Sequence, residues 1–320
     1  MKVIFVGTAE FGVPALERLS LSDLHEVIAV FTQPDRRSGR GQQLRPSPIK
    51  QVADGLGLVV HQPKKISDAG SVSVLQEFEP EAIVVAAYGQ ILSSQVLDVP
   101  RWPINIHASL LSRYRGAAPI QWAIINGETR TGVTTFLMDE GLDTGDILLQ
   151  REVQICKDDA AGTVHDRLAQ LGGELIVETL SGLERGTLEP HPQPGDRESY
   201  APKLKPEDGQ IDWDKSAQQI HNLIRGLNPY PGAYTFLDKL RLKVHRSHLV
   251  ENDRHPQAYH NAEPGEVIAF AEAGFVVRTG DGALELLEVQ PASRDRMGGM
   301  DFQRGYGLAF GDRLGSASGV

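Results

Sequence analysis

The sequence predicts an α/β domain built on a mostly parallel sheet, followed by a small β-barrel. Three observations carry that reading. Apolar strand-like runs alternate with helical stretches through the first half, the pattern of parallel strands joined by crossover helices. One of those runs, EAIVVAAYG, is nearly all apolar, which suits a strand buried on both faces. After a proline-rich stretch the texture changes to short strand-like runs broken by glycine and polar turns.

Taken in order, MKVIFVG reads as a buried first strand and Val13 to Ser20 as the helix after it, with Pro14 tolerated in the first turn. Val27 to Phe31 reads as a second strand, Ile49 to Gly55 as a helix, LGLVVHQP as a third strand and EAIVVAAYG as a fourth. PINIH, residues 103–107, is a fifth strand, and the β-branched, aromatic run from Gly132 to Met138 is another. Residues 158–186 read as a helix opened by Asp158 and Asp159 and ended by Gly186. Pro190, Pro192, Pro194, Pro202 and Pro206 then crowd a polar linker. Ser216 to Leu227 is helical, and GAYTFL, KLRLKV, GEVIAF, GFVVRT and ALELLEV supply the barrel strands. The expected layout is a first domain over residues 1–189, a linker over 190–207, a barrel over 208–310 and a disordered tail over 311–320.

Composition excludes several classes. None of the apolar runs in the 320 residues is long enough to span a bilayer, and the first residues lack a signal-peptide cleavage site. The single cysteine, Cys156, excludes an internal disulfide and a cysteine-rich metal site, and suits a bacterial-type cytoplasm. It precedes an acidic cluster, which disfavours its thiolate as a nucleophile. The first βα turn carries Gly7 and Gly12 and is not GxGxxG, which disfavours a nicotinamide oxidoreductase, although the sheet can still be Rossmann-like.

Charge is less simple. The chain has 32 basic and 42 acidic side chains, a net of −10, which alone argues against a nucleic-acid partner. Residues 35–50, DRRSGRGQQLRPSPIK, reverse the sign locally. Arg36, Arg37, Arg40, Arg45 and Lys50 stand against Asp35 alone, on a stretch whose glycines and prolines suggest a mobile loop. It is either a solvated loop or a phosphate-binding arm. Lys239, Arg241 and Lys243 alternate and so share one strand face, which can track an RNA backbone or keep an exposed strand soluble. His245 and His248 fall on opposite faces of that strand and read as surface residues rather than ligands.

Asn105 and His107 are two residues apart, so both side chains project from one face near the carboxyl end of a strand, where open α/β sheets bind ligands. An amide donor beside an imidazole can hold an oxyanion and move a proton. Spacing alone favours the plainer reading, a polar strand end with a satisfied histidine. Asp143, in the turn DEGLDTGDIL between Gly141 and Gly145, is a turn former or a carboxylate that fixes the His107 tautomer and stabilises its imidazolium.

NIHASLLSRYRGAAPIQWAIINGETRTGVTTFLMDEGLDTGDIL strongly resembles the signature region of the methionyl-tRNA formyltransferase family. The likeness extends to MKVIFVGTAEFGVPALERL, to the arm TQPDRRSGRGQQLRPSPIK, to EAIVVAAYGQIL and to APKLKPEDGQIDWDKSAQQIHNLIRGLNPYPGAYT, and covers the chain to about Gly307. NIH with the GLDTGD turn marks the wider formyl-transfer superfamily, whose other members act on sugar nucleotides or ribonucleotides. The basic arm and the APK-to-PGAYT region favour the tRNA member. Ser93 and Ser112 depart from prolines usual in the family.

The resemblance implies an oligonucleotide-binding-like second domain. It implies formyl transfer from 10-formyltetrahydrofolate to the amino group of methionine on initiator methionyl-tRNA, in support of translation initiation, with no metal. Asn105, His107 and Asp143 are its implied catalytic residues. Tyr88, Gly89, Gln90, Ile91, Leu92, Ser109, Leu110 and Asp139 are its implied folate contacts. Arg40 leads the candidate tRNA contacts of the arm, with Arg36, Arg37 and Arg45 in support, and the Lys239, Arg241 and Lys243 stripe is a separate candidate in the barrel. A cytoplasmic monomer is expected, with no membrane partner. The rivals are a formyltransferase for a sugar-nucleotide or ribonucleotide amine, and a non-enzymatic RNA-binding protein on the same fold.

Overall fold

The structure is a computed structural model that describes residues 1–38, 43–195, 198–250 and 261–315. The chain forms two compact units. Residues 1–119, 130–154 and 165–201 make the first, and residues 120–129, 155–164 and 202 onward the second. The sequence boundaries run straight along the chain, whereas two short stretches of the first half cluster with the second unit.

In the first unit the sheet strands are β1 (Lys2–Gly7), β2 (Glu26–Phe31), a short ribbon of β3 (Arg36–Ser38) and β4 (Gln43–Arg45), then β5 (Val60–His61), β6 (Ala82–Ala86) and β7 (Trp102–His107). β8 (Arg115–Gly116), β9 (Arg130–Leu137), β10 (Ile147–Gln154) and β11 (Tyr200–Ala201) follow. The helices are α1 (Val13–Ser20), α2 (Pro48–Gly55), α3 (Ala69–Glu77), α4 (Ser94–Leu97), α5 (Pro119–Ile125) and α6 (Ala161–Glu184); residues 120–125 of α5 and 161–164 of α6 belong to the second unit.

The main sheet runs in the order β10-β9-β7-β6-β1-β2-β5. Its pairings are parallel from β5 to β7 and antiparallel at β9 and β10. This is the mostly parallel, Rossmann-like sheet that the alternation predicts. Strand order reverses between β1 and β6, and a ligand crevice is expected beyond the carboxyl ends of strands at such a switch point. His107 is the last residue of β7, and Tyr88 follows β6 by two residues. β1 and β6 are buried almost throughout, so no face of the central sheet is free to be polar.

Local chemistry sets the helix starts. Ser47 accepts from Lys50 N ahead of Pro48 in α2, and Asp68 accepts from Ser71 N at the start of α3. α6 lies close on the sheet because Gly172 has no side chain. A Cβ there would sit 2.9 Å from Ile106 of β7, the residue beside His107.

In the second unit α7 (Ala217–Gly226) is opened by a capping box between Ser216 and Gln219. β12 (Ala233–Leu237), β13 (Leu240–Leu249), β14 (Val267–Phe270), β15 (Phe275–Arg278), β16 (Ala283–Pro291), β17 (Met297–Gly298), α8 (Gly299–Tyr306) and β18 (Leu314–Gly315) follow. The strands pair antiparallel in the order β14-β15-β16-β13-β12-β18, with β17 on β16. A bridge between Glu266 and Arg313, with Leu314 N donating to Gly265 O at 2.8 Å, joins the two ends and closes the barrel. Trp213, Leu242, Val244, Phe275, Leu286 and Phe302 fill it.

Several expectations are corrected. The third strand shrinks to Val60–His61, and the helix of residues 158–186 to Ala161–Glu184. The flanks of the basic arm pair as the β3–β4 ribbon, with Arg36 opposite Arg45, rather than forming a loop. Arg40 lies outside the described residues. Residues 311–315 are not a tail, since they close the barrel, and residues 316–320 lie outside the described residues. The proline-rich linker is laced to the first unit. His191 pairs with Ile147 in both directions, and Tyr200–Ala201 pairs parallel with β8. His245 is core rather than surface, because irregularities in β13 between Val244 and Ser247 break the simple alternation.

Candidate active site

β7 delivers Asn105 and His107 to one face, as the period of a strand requires. His107 is buried. Its Nε2 lies 2.9 Å from Tyr114 O. A carbonyl only accepts, so Nε2 carries a hydrogen, and the open nitrogen of the neutral ring is Nδ1. That atom faces Asp143 Oδ2 at 3.7 Å. The separation is too long for a direct hydrogen bond and short for a charge partner. Phe136 meets the ring edge-on with centroids 6.5 Å apart. The Asn105 side chain is half-buried and makes no hydrogen bond to any described residue, which leaves its amide free beside the imidazole.

Asp143 sits in the left-handed region, at φ 55°, which aspartate tolerates better than most residues. Gly116 N donates to its Oδ2 at 2.8 Å. Gly145 must be glycine, because a Cβ would fall 1.8 Å from Leu137 O. The 108–114 loop after β7 is also fixed. Thr134 Oγ1 donates to Ser109 O at 2.7 Å and accepts from Leu111 N, while Ser109 Oγ donates to Arg113 O at 2.6 Å. Nothing in sequence spacing brings Asp143 to His107; the fold does.

The other predicted residues divide. Tyr88 is a core residue. Burial pushes its phenol up to about 12, its hydroxyl has no partner among the described residues, and its carbonyl accepts from Thr8 Oγ1 and Gln33 Nε2. Gly89 takes a positive φ of 80°. Gln90 holds Lys64 O and Ile66 N, Leu92 is buried and Ile91 is 87% exposed. Ser109 is buried, and Leu110 would collide with any Cβ at Gly132. Asp139 caps its own turn, accepting from Gly141 N and Thr144 Oγ1.

In the arm, Arg36, Arg37 and Arg45 are exposed, and Arg36 also donates to Gln33 Oε1. Lys50 is paired with Asp35 at 3.0 Å and offers less charge outward. In the barrel, Arg241 and Lys243 share the outward face of β13, but Lys239 belongs to the turn before it. The Arg241 guanidinium lies 3.7 Å from the centre of the Tyr234 ring. Among the described residues no cluster can hold a metal ion, and no helix is long and apolar enough to cross a membrane.

Residues 1–180 match the family model described as formyl transferase, and residues 203–307 match the formyl transferase C-terminal domain. The chain belongs to the formyl transferase family, whose members are enzymes. It is 48% identical to the methionyl-tRNA formyltransferase of Geobacter metallireducens, over 98% of this chain and 99% of that one. The methionyl-tRNA formyltransferase of Halothermothrix orenii is 46% identical, over 98% and 100%. Among solved structures, a Helicobacter canadensis N-formyltransferase with folinic acid and dTDP-3-aminofucose superposes with a TM-score of 0.65 at 19% identity, over 90% of this chain and 99% of that one. HypX from Aquifex aeolicus with tetrahydrofolic acid gives 0.62 at 18% identity, over 95% of this chain and 47% of that longer protein. At those identities the structures show a shared fold.

Sequence reasoning passed over Arg115 and Gln193. Arg115 is 5% exposed, and its Nε and Nη2 donate to Gln193 Oε1 at 3.1 and 2.8 Å. Gln193 Nε2 donates to Asp143 O and Gly145 O, both at 2.8 Å. Seventy-eight residues separate the pair, so no local pattern announces it.

Proposed function

We propose that this chain transfers the formyl group of 10-formyltetrahydrofolate to the α-amino group of methionine on initiator tRNA. The observation that carries the reading is the unbonded Asn105 amide beside a His107 whose open Nδ1 faces Asp143 at 3.7 Å. The high identity to methionyl-tRNA formyltransferases over the whole chain supports the acceptor.

The amine attacks the formyl carbon, and the carbonyl oxygen becomes an oxyanion. Asn105 donates to that oxygen, an interaction whose loss typically costs about 2.7 to 4 kcal/mol. The departing folate nitrogen needs a proton, and the attacking amine must lose one. His107 Nε2–H is committed to Tyr114 O, so the ring exchanges protons through Nδ1. A proton on Nδ1 meets the Asp143 carboxylate, which stabilises the charge while the C–N bond to folate breaks. An α-amino group has a reference pKa near about 8, so a neutral nucleophile is available at pH 7 without a strong base. Folate would lie along residues 88–92 and the 138–143 turn, with exposed Ile91 offering an apolar contact and backbone groups meeting the pterin edge.

Residues 1–189 would carry the chemistry, and the arm and the barrel would hold tRNA in a cytoplasmic monomer. Arg36 and Arg45 face one another across the ribbon, and like charges directly opposite repel. A phosphate between them would relieve that repulsion and gain bidentate hydrogen bonds. Arg37 and Arg40 would extend the contact, and Arg241 and Lys243 would supply a second one, with Lys239 at its edge. Labelled formyl transfer to charged initiator tRNA, set against amino-sugar nucleotides, tests the reading.

A further inference from the structure

We propose that Gln193, its amide clamped by the buried Arg115, is a positioning residue that sets the Asp143 carboxylate for formyl transfer. The inference rests on the reading of Asp143 as part of the reacting site.

A glutamine amide has two N–H donors and two acceptor lone pairs. All four are used here. The donors go to Asp143 O and Gly145 O, and the lone pairs take two N–H groups of Arg115. Arg115 in turn has its Nη1 3.2 Å from Glu198 Oε1. Because both Arg115 donors point at Oε1, Nε2 can only face the two carbonyls, so the amide cannot flip. Asp143 is thereby held from both ends. Gln193 grips its carbonyl, and Gly116 N, the amide next in sequence to Arg115, grips its carboxylate.

The segment that carries Gln193 is itself pinned. His191 N and O both bond Ile147, and Ser112 Oγ donates to Pro194 O at 2.6 Å. Tyr114, whose carbonyl fixes His107 Nε2, donates its own N–H to Ser199 Oγ. Residues 191–195 and 198–201 therefore brace both partners of the His107–Asp143 pair. A residue in the left-handed region has neighbouring conformations open to it once its backbone bonds are lost. A shift of about 1 Å in a reacting group can lower turnover about 10²-fold.

Gln193→Glu is the informative change. It keeps the acceptor for Arg115, so the buried cation stays paired, and removes both donors to the Asp143 turn. Turnover should fall about tenfold or more, while KM for formyl donor and for tRNA stays within about twofold. In an Asp143→Ala background the same change should cost less than about twofold, because a residue acting through Asp143 has nothing left to position. Gln193→Met, run through the same cycle, gives the same comparison if the added charge of glutamate perturbs folding. Unchanged turnover in both variants, or an equal fractional loss with and without Asp143, overturns the proposal. Full turnover in Asp143→Ala alone overturns the reading beneath it as well, and so separates the two failures.

Discussion

The His107–Asp143 corner and the Arg36–Arg45 ribbon are built on opposite principles. In the corner, His107 Nε2, the Asp143 carboxylate and the Asp143 carbonyl each have a fixed partner at 2.8 or 2.9 Å, and the imidazole is buried. In the ribbon, the arginines are exposed and like charges are set opposite each other. Chemistry needs groups held in place before the substrate arrives, whereas capture of a polyanion needs charge left unpaired in water. An acidic chain with net charge −10 can hold both, because basic side chains cluster in a short arm and along one strand face.

That contrast can be broken at four points. Asn105→Ala, His107→Ala and Asp143→Ala should each lower turnover by on the order of 10² or more, with KM for tRNA little changed. Steady-state kinetics on folded variants checks this, and near-normal turnover removes that residue from the mechanism. Arg45→Ala should do the reverse. It should weaken tRNA binding on the order of tenfold at low salt, leave turnover at saturation intact, and shallow the log–log salt slope by about one. Arg40→Ala should shallow the slope likewise, and an unchanged slope argues against a phosphate contact there.

The third point is pH. Burial depresses His25, His221 and His245 below the usual histidine value, aided by the N-terminal ammonium at His25 and by Arg225 at His221, while the Gln290 hydrogen bond partly offsets it at His245. Below about 6.5 the unfolded chain binds protons that the folded chain refuses. The stability from these residues is therefore present at pH 7 and is lost as pH falls from about 6.5 through their folded values. Melting temperature should drop between pH 7 and 5, before the lowered carboxyls of Asp35 and Asp68 titrate; a flat profile contradicts the account. The smallest effect is expected at Arg241→Lys, which keeps the charge and loses the guanidinium stack on Tyr234, for about 0.5 to 1 kcal/mol of barrel stability by denaturant titration.

What was legible in the sequence follows from range. Val13–Ser20 is legible to the residue, and the strand read as 103–107, which forms as Trp102–His107, is legible to within one residue, because both rest on local periodicity. Helix Ala69–Glu77, rich in serine, glycine and valine, and strand Ile147–Gln154, whose alternation follows a polar turn, carry only weak local signals. In the arm, arginine, glycine and proline hide a ribbon whose flanks are made by cross-strand pairing. The approach of Asp143 to His107, the Arg115–Gln193 clamp and the lacing of the proline-rich segment are contacts across many residues, which only the folded chain displays.

The central claim is that the fixed corner and the basic arm serve one acceptor, a charged initiator tRNA. Its most direct test offers the protein 10-formyltetrahydrofolate labelled in the formyl group, with methionyl initiator tRNA and an amino-sugar nucleotide in competition. The account predicts label on the methionine of the tRNA, lost in Asn105→Ala and reduced at low tRNA concentration in Arg45→Ala. Label on the sugar nucleotide alone, or transfer to tRNA that survives loss of Asn105, His107 and Asp143 together, would contradict it.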